Sequence, residues 1–409
     1  MKMLSLSLKY LKDRPLNTLL NILLLGLGLA IISVLIQIQN QFESQMTRDA
    51  KGIDLVVGAK GSPLQLILSS VYHIDFPTGN INMKEAKALA RNRLVKNIIP
   101  MSLGDNYQGF RIVGTNYDYL DLYQGEFKDG DGWKLPFDVV LGAEVAKELN
   151  LNVGDTFYGS HGIGSSSHEH DHHPYKVTGV LAASGNVLDK LVLTSLESVW
   201  STHEVEGEEH NHDQLHQEVV QRGFPDAEET KEITTVLLQY RSPMAAVQLP
   251  RFINSRTSLQ AASPSFEIVR LFELMGVGVK LVTGLAYIII GIAGLGIFIA
   301  LYNSLKERKY DLAVMRAIGA SKAQLFFHIV LEGLILTLVG ALAGIFLGHL
   351  FLHFLVMGQE QGALGSIEAW TFLSEEIWIV GYALLVGILA SAIPAWGAYH
   401  TDIAKQLTK

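Results

Sequence analysis

The chain has 409 residues, 49% of them hydrophobic and 18% charged, with a formal net charge of -8 at pH 7. That balance is too apolar for an ordinary soluble enzyme and too acidic for a protein that grips nucleic acid through a basic patch, so no nucleic-acid partner is expected. Cysteine is absent, which excludes disulfide frameworks and thiolate metal sites and leaves nitrogen and oxygen as the only metal ligands.

Residues 1–16 carry four Lys/Arg against one Asp. An apolar run from Thr18 to Ile38 then predicts a first transmembrane helix at 17–38, since about 20 apolar residues cross a bilayer. The run is longer than a signal-peptide core and "QIQNQFESQM" after it offers no small-residue cleavage site, so it reads as a retained anchor. Residues 39–276 hold 31 acids and 20 bases, more than the whole net negative charge. Within them "GFRIVGT", "FDVVLG", "YKVTGVL", "KLVLTS" and "ITTVLLQY" read as strands, "MKEAKALARNRL" and "GAEVAKELNL" as helices and "NVGD" as a turn, which together predict an α+β domain. Near its start, "VVGAKGSPLQLILSSVYHIDFPTGN" reads as a Gly/Pro-rich turn and a short amphipathic run, a structural elbow or a contact for a lipid or lipoprotein cargo.

Two bursts of histidine fall in this domain. "HGIGSSSHEHDHHPY" contains His161, His168, His170, His172 and His173, and "STHEVEGEEHNHDQLHQE" contains His203, His210, His212 and His216, nine of the fourteen histidines in the chain. Loops at 161–173 and 203–216 are expected to carry them, the first in a hairpin position. Imidazole interleaved with Asp and Glu suits zinc, copper or nickel as a weak multidentate collector, and an acidic surround concentrates cations. The alternative is a pair of solvated polar insertions.

Three further spans follow at 277–302, 325–356 and 377–399. The segment 303–324 between the second and third carries five Lys/Arg against two acids, whereas the loop 353–376, which includes the short connection 357–376, has four Glu and no Lys or Arg. The positive-inside bias therefore places 1–16, 303–324 and the tail 400–409 in the cytoplasm and the large domain outside. In "LKERKYDLAVMRAIGASKAQLF", Leu312, Met315 and Ile318/Gly319 recur at helical spacing behind a charged first turn of Glu307, Arg308, Lys309 and Asp311, which predicts a short amphipathic helix. His328 and Glu332 share one helix face near an end of the third span, placed to pair with each other or to snorkel. Gly340, Gly344 and Gly348 repeat every four residues, a packing stripe within the chain or across a dimer. No GxxxxGK[ST] motif occurs, so ATP hydrolysis is not expected in this chain.

"ERKYDLAVMRAIGAS" resembles the coupling-helix motif of FtsX-like and MacB-like ABC transporter permeases, the type VII or mechanotransmission class. "VVLGAEVAKELNLNVGDTF" is similar to the outer-domain motif of that family, and "SAIPAWGAYHTDIAKQL" to its closing segment, except that Thr401 and Asp402 stand where the family often has proline. The resemblance implies an α-helical membrane protein with four transmembrane helices and a large α+β extracytoplasmic domain inserted between the first and second. It further implies a multi-pass protein of the bacterial inner membrane, a homodimer, and a separate cytoplasmic ATPase subunit that binds ATP and docks on Glu307, Arg308, Asp311, Leu312, Met315, Arg316 and Gly319. On its histidine loops the chain resembles the permease of zinc-regulated ABC systems, with zinc as the expected ligand. Two other readings keep the fold: extrusion or release of a lipoprotein, peptide or amphipathic molecule with a periplasmic partner, or an FtsX-like scaffold that regulates a cell-wall hydrolase and transports nothing.

Overall fold

The computed structural model describes residues 2–161, 173–203, 219–357 and 367–399, and within these the side chains of 2–6, 104, 160, 161 and 203 are left aside. The chain divides into two compact units, 1–42 with 274–409, and 43–273.

The first unit is helical. Its N-terminal helix, Lys2–Asp13, stops at Arg14, and Pro15, whose fixed φ and missing N–H suit the first turn of a helix, starts the first long helix, Pro15–Asp49. The other long helices are Pro264–Glu307, Lys322–Met357 and Glu376–Tyr399, and a short one, Lys309–Ala317, lies between the second and third. All four long helices are long and apolar enough to cross a membrane. Each contains its predicted apolar run, and the first two extend well beyond theirs at the 49 and 264 ends, where polar residues continue the backbone hydrogen bonding without being apolar. Leu25, Leu29, Ile290, Ile297, Leu336 and Ala383 form the interior of the bundle. The rows Leu281, Leu285, Ile288, Ile292 and Leu295 stay exposed, the pattern of helices whose outer surface meets hydrocarbon.

The second unit is built on a mixed sheet. Its strand order is Leu259–Ala262, Leu55–Ala59, Thr235–Tyr240, Val95–Tyr107, Phe110–Thr115, Leu191–Ser195, Asp138–Leu141, Tyr175–Leu181 and Phe127–Gly130. Leu191–Ser195 runs parallel to Phe110–Thr115, and Asp138–Leu141 parallel to Tyr175–Leu181, while the remaining neighbours in this order are antiparallel. All five predicted strands are present. The predicted helices shorten to Met83–Ala90 and Ala143–Glu148, and the turn at Asn152–Asp155 closes through Asp155 N–H to Asn152 O at 3.1 Å, with Gly154 in the left-handed region.

Two parts of this unit differ from expectation. Val95–Tyr107, the longest strand, is not legible because Pro100 and Gly104 interrupt its pattern; pairing with Thr235–Tyr240 and Phe110–Thr115 supplies what local propensity lacks. The elbow segment is a buried strand, Leu55–Ala59, and a helix, Pro63–Ser70, N-capped by Ser62, with Leu66 and Ile67 in the core. Its loop then passes through His73, left-handed at φ 56° and buried, while the guanidinium of Arg111 donates to Asp75 O at 2.6 Å. Burial holds the His73 imidazole neutral, its pKa pushed down to about 3, and its Nε2 lies 3.1 Å from the Tyr119 hydroxyl. Ile74 and Phe76 on the same loop remain exposed.

Gly142 of the "VVLGAEVAKEL" stretch explains why that position is glycine. A Cβ there would lie 2.1 Å from Leu188 O and 2.5 Å from the Asp189 carbonyl, both main-chain atoms, and Gly142 N–H donates to Leu191 O at 2.9 Å. Gly142→Ala is expected to destabilise the second unit by about 1–3 kcal/mol, the usual range for overpacking. Faster amide exchange in Asp138–Leu141 of the full chain would show it, and unchanged exchange would contradict it.

Candidate functional site

The short helix Lys309–Ala317 and its neighbours carry the predicted coupling residues. Its C-terminus is closed by Gly319 at φ 111°, with Gly319 N–H donating to Arg316 O at 3.1 Å and Ala320 N–H to Met315 O at 3.0 Å, the paired bonds of a Schellman cap. Leu312 and Ala313 are buried, Met315 packs partly against the bundle interior, and Val314 and Arg316 are half-buried. Asp311 and Tyr310 are exposed. Ile318 departs from the predicted apolar face: it follows the helix as its C-cap and is 82% exposed, since the turn into the left-handed glycine swings it away from the Leu312 side.

The charged first turn also needs correction. Glu307 ends the preceding helix rather than starting the short one and pairs with Arg14 at the other end of the chain. Arg308 is the bend between the two helices, with φ -97° and ψ 15°. Its guanidinium turns inward, 3.6 Å from the Glu332 carboxylate and 3.6 Å from the centroid of the Tyr10 ring, and donates to Tyr10 O at 3.4 Å. His328 and Glu332, one turn apart on Lys322–Met357, are both buried and neither snorkel nor pair with each other. His328 Nδ1 lies 3.0 Å from Ser7 Oγ, and Glu332 faces Arg308.

The glycine stripe of the third span packs within the chain. A Cβ on Gly340 would lie 2.9 Å from Leu25, on Gly344 2.7 Å from Gly26 O, and on Gly348 3.1 Å from Ser33, all on the first span. At the other end of this bundle lies a buried polar cluster that sequence reading missed. Glu376 Oε1 accepts from Ser33 Oγ at 2.7 Å and Gln37 Nε2 at 3.2 Å and lies 3.0 Å from His349 Nε2. His349 Nδ1 is 2.6 Å from Ala369 O and its ring is stacked on Trp370. The available signal was a histidine inside an otherwise apolar run, the pattern that drew attention to His328.

Of the predicted metal ligands, His161 ends a two-residue strand, Ser160–His161, paired with Asn106 and Asp105. His173 lies with its ring 5.1 Å from that of Phe137. His203 ends the helix Leu196–His203. His168, His170, His172, His210, His212 and His216 lie outside the described residues, as do Thr401 and Asp402. Among the described residues no group of three His, Asp or Glu is placed to hold a metal.

A model of the MacB-like periplasmic core domain matches residues 18–249, more than half of the chain, and a model of the FtsX-like permease C-terminal domain matches 283–403. The chain belongs to the FtsX-like, MacB-like permease family. As an ABC transporter permease of this type it is 24% identical over 383 residues to the lipoprotein-releasing system transmembrane protein LolE of Haemophilus influenzae, covering 89% of this chain and 80% of that one. It is 22% identical over 188 residues to the uncharacterized ABC transporter permease YknZ of Bacillus subtilis, covering 42% and 44%. To the macrolide export ATP-binding/permease protein MacB of Rhodopirellula baltica it is 25% identical over 175 residues, covering 40% and 25%. The chain thus spans less than half the length of the YknZ and MacB relatives. The periplasmic region of MacB from Actinobacillus actinomycetemcomitans aligns with 56% of this permease and 95% of its own chain at 12% identity and a TM-score of 0.34.

Proposed function

We propose that this permease couples ATP hydrolysis by a separate cytoplasmic ATPase subunit to movement of its 43–273 unit on the far side of a bacterial inner membrane, working as a homodimer. The supporting observation is the helix Lys309–Ala317: its inner face is anchored by Leu312 and Ala313, its end is fixed by the Gly319 cap, and Tyr310, Asp311 and Ile318 are presented outward. A rigid, capped helix transmits a push at its exposed side, whereas a frayed loop absorbs it. Gly319→Val forces a β-branched residue into the left-handed region and should cost about 1–2 kcal/mol at the cap. In nanodiscs with the partner ATPase, permease-stimulated hydrolysis is expected to fall about tenfold in that variant. Wild-type stimulation in Gly319→Val would refute the coupling assignment.

The match to LolE over 89% of the chain favours an apolar, lipid-linked cargo as a second reading. Exposed Ile74 and Phe76 on a loop pinned by Arg111 are the contact it would use, and photocrosslinkers at these positions should capture such a cargo.

Zinc handling rests on the two histidine bursts in an acidic domain. The residues that would take part are His161, His168, His170, His172 and His173 with His203, His210, His212 and His216. Titration of zinc into the full chain at pH 7.5 should show micromolar or tighter binding that a nine-fold His→Ser variant loses. Binding should also fall below about pH 6, because imidazole must be neutral to ligate. Equal heats in both proteins would reduce the bursts to solvated insertions.

A further inference from the structure

His328 and Glu332 of the third span and the inward Arg308 are unexplained by a docking role alone. Arg308 faces into the bundle, and what it meets there is the N-terminal helix. Tyr10 contributes both its ring, under the guanidinium at 3.6 Å, and its main-chain oxygen at 3.4 Å, while Glu332 holds the opposite side. Ser7, one turn earlier on the same face of the N-terminal helix, meets His328, one turn before Glu332. Arg14, at the break after that helix, pairs with Glu307, the residue before the bend. Three contacts therefore tie the N-terminal helix and its exit to the surroundings of the bend: Tyr10 to Arg308 itself, Arg14 to Glu307 beside it, and Ser7 to His328, one turn from the Glu332 that Arg308 faces.

Tyr10, Arg14, Arg308 and Glu332, with Leu301 and Leu336, also line a small cavity of about 30 Å³. That volume has room for a water or two beside the Arg308–Glu332 pair. An arginine stacked on an aromatic ring and paired with a carboxylate has a fixed direction. Lysine could not substitute, because only a planar guanidinium stacks and pairs at once.

We propose that the N-terminal helix Lys2–Asp13 is the positioning element for the Lys309–Ala317 helix. Tyr10 orients Arg308, Arg308 is held to Glu332, and together they set the direction in which the short helix leaves the second span. The significance of that direction for ATP hydrolysis rests on the coupling reading above, but the orientation itself does not.

The absence of native cysteine allows a direct test, since Leu8→Cys and Ile318→Cys introduce the only two thiols, both at exposed positions. Spin labels there report the distance from the N-terminal helix to the end of the short helix, first in the permease alone in nanodiscs and then with the ATPase. Tyr10→Leu should shift or broaden the distance distribution in the permease alone and lower stimulated ATP hydrolysis about fivefold, the scale of one lost cation–π contact. Tyr10→Phe retains the ring and the main-chain oxygen and should match wild type in both. Arg308→Lys keeps the charge without the plane and should reproduce the Tyr10→Leu distribution, which decides the matter if Tyr10→Leu does not fold. A wild-type distribution in both Tyr10→Leu and Arg308→Lys overturns the proposal. A changed distribution together with an ATPase that the wild-type permease never stimulates upholds the positioning role and overturns the coupling reading instead.

Discussion

Gly344→Val is expected to push the first and third spans apart and to destabilise the folded protein severely. The Cβ alone would sit 2.7 Å from Gly26 O, 3.0 Å from Leu29 Cβ and 3.2 Å from Gly26 Cα, so two of the three obstacles are backbone that cannot rotate aside. Helices in lipid gain no hydrophobic drive from association and depend on close backbone approach, so separating them removes the dispersion contacts that hold the bundle. Valine adds two methyl groups beyond that Cβ, and the loss should exceed the ~1–3 kcal/mol of ordinary overpacking. Gly291→Val is the matched control, because a Cβ there meets nothing within 4 Å. Thermal unfolding of the two variants in the same nanodiscs should separate them by many degrees. Equal midpoints would mean that the stripe does not carry the contact.

Breaking the Glu376 cluster is the second large effect. The Ala369 carbonyl can only accept, so His349 Nδ1 donates to it and its Nε2 faces the Glu376 carboxylate. The pair is nearly fully enclosed, with Glu376 4% and His349 1% exposed. Glu376→Ala removes the acceptor for Ser33 and Gln37 together with the partner of the imidazole, and a cost of about 3–5 kcal/mol follows for opening a buried pair. Replacing both members, His349→Leu with Glu376→Leu, should cost less than Glu376→Ala alone, because no polar group is then left without a partner. Tryptophan fluorescence is a suitable monitor, since Trp370 stacks on His349 at 5.9 Å. A double replacement costing more than the single one would show that the cluster acts through packing rather than through its polar contacts.

Much of this architecture was legible because its causes are local. The cost of apolar surface in water marks four runs of sufficient length, and each is a long helix. The five predicted strands are those whose β-branched residues lie between turn formers. Val95–Tyr107 escaped because its pairing with Thr235–Tyr240, far along the chain, overrides the interruption at Pro100 and Gly104. The short helix was legible from its period, yet its boundary was misplaced by two residues, because a charged stretch can end one helix as readily as it can start the next.

The sequence by itself determined what any segment must do with its own surface: which runs are apolar enough to span, where glycine permits close approach, and which stretch forms an amphipathic turn of helix. Only the tertiary structure decided the partners. His328 and Glu332 stand one turn apart and look made for each other, yet Ser7 and Arg308 take them, and Tyr10 meets a guanidinium 298 residues away. The physical reason is one of range. Helical period and transfer free energy depend on neighbours along the chain, whereas a buried charge is satisfied by whichever group the fold returns to it, and nothing near it in sequence records which group that is.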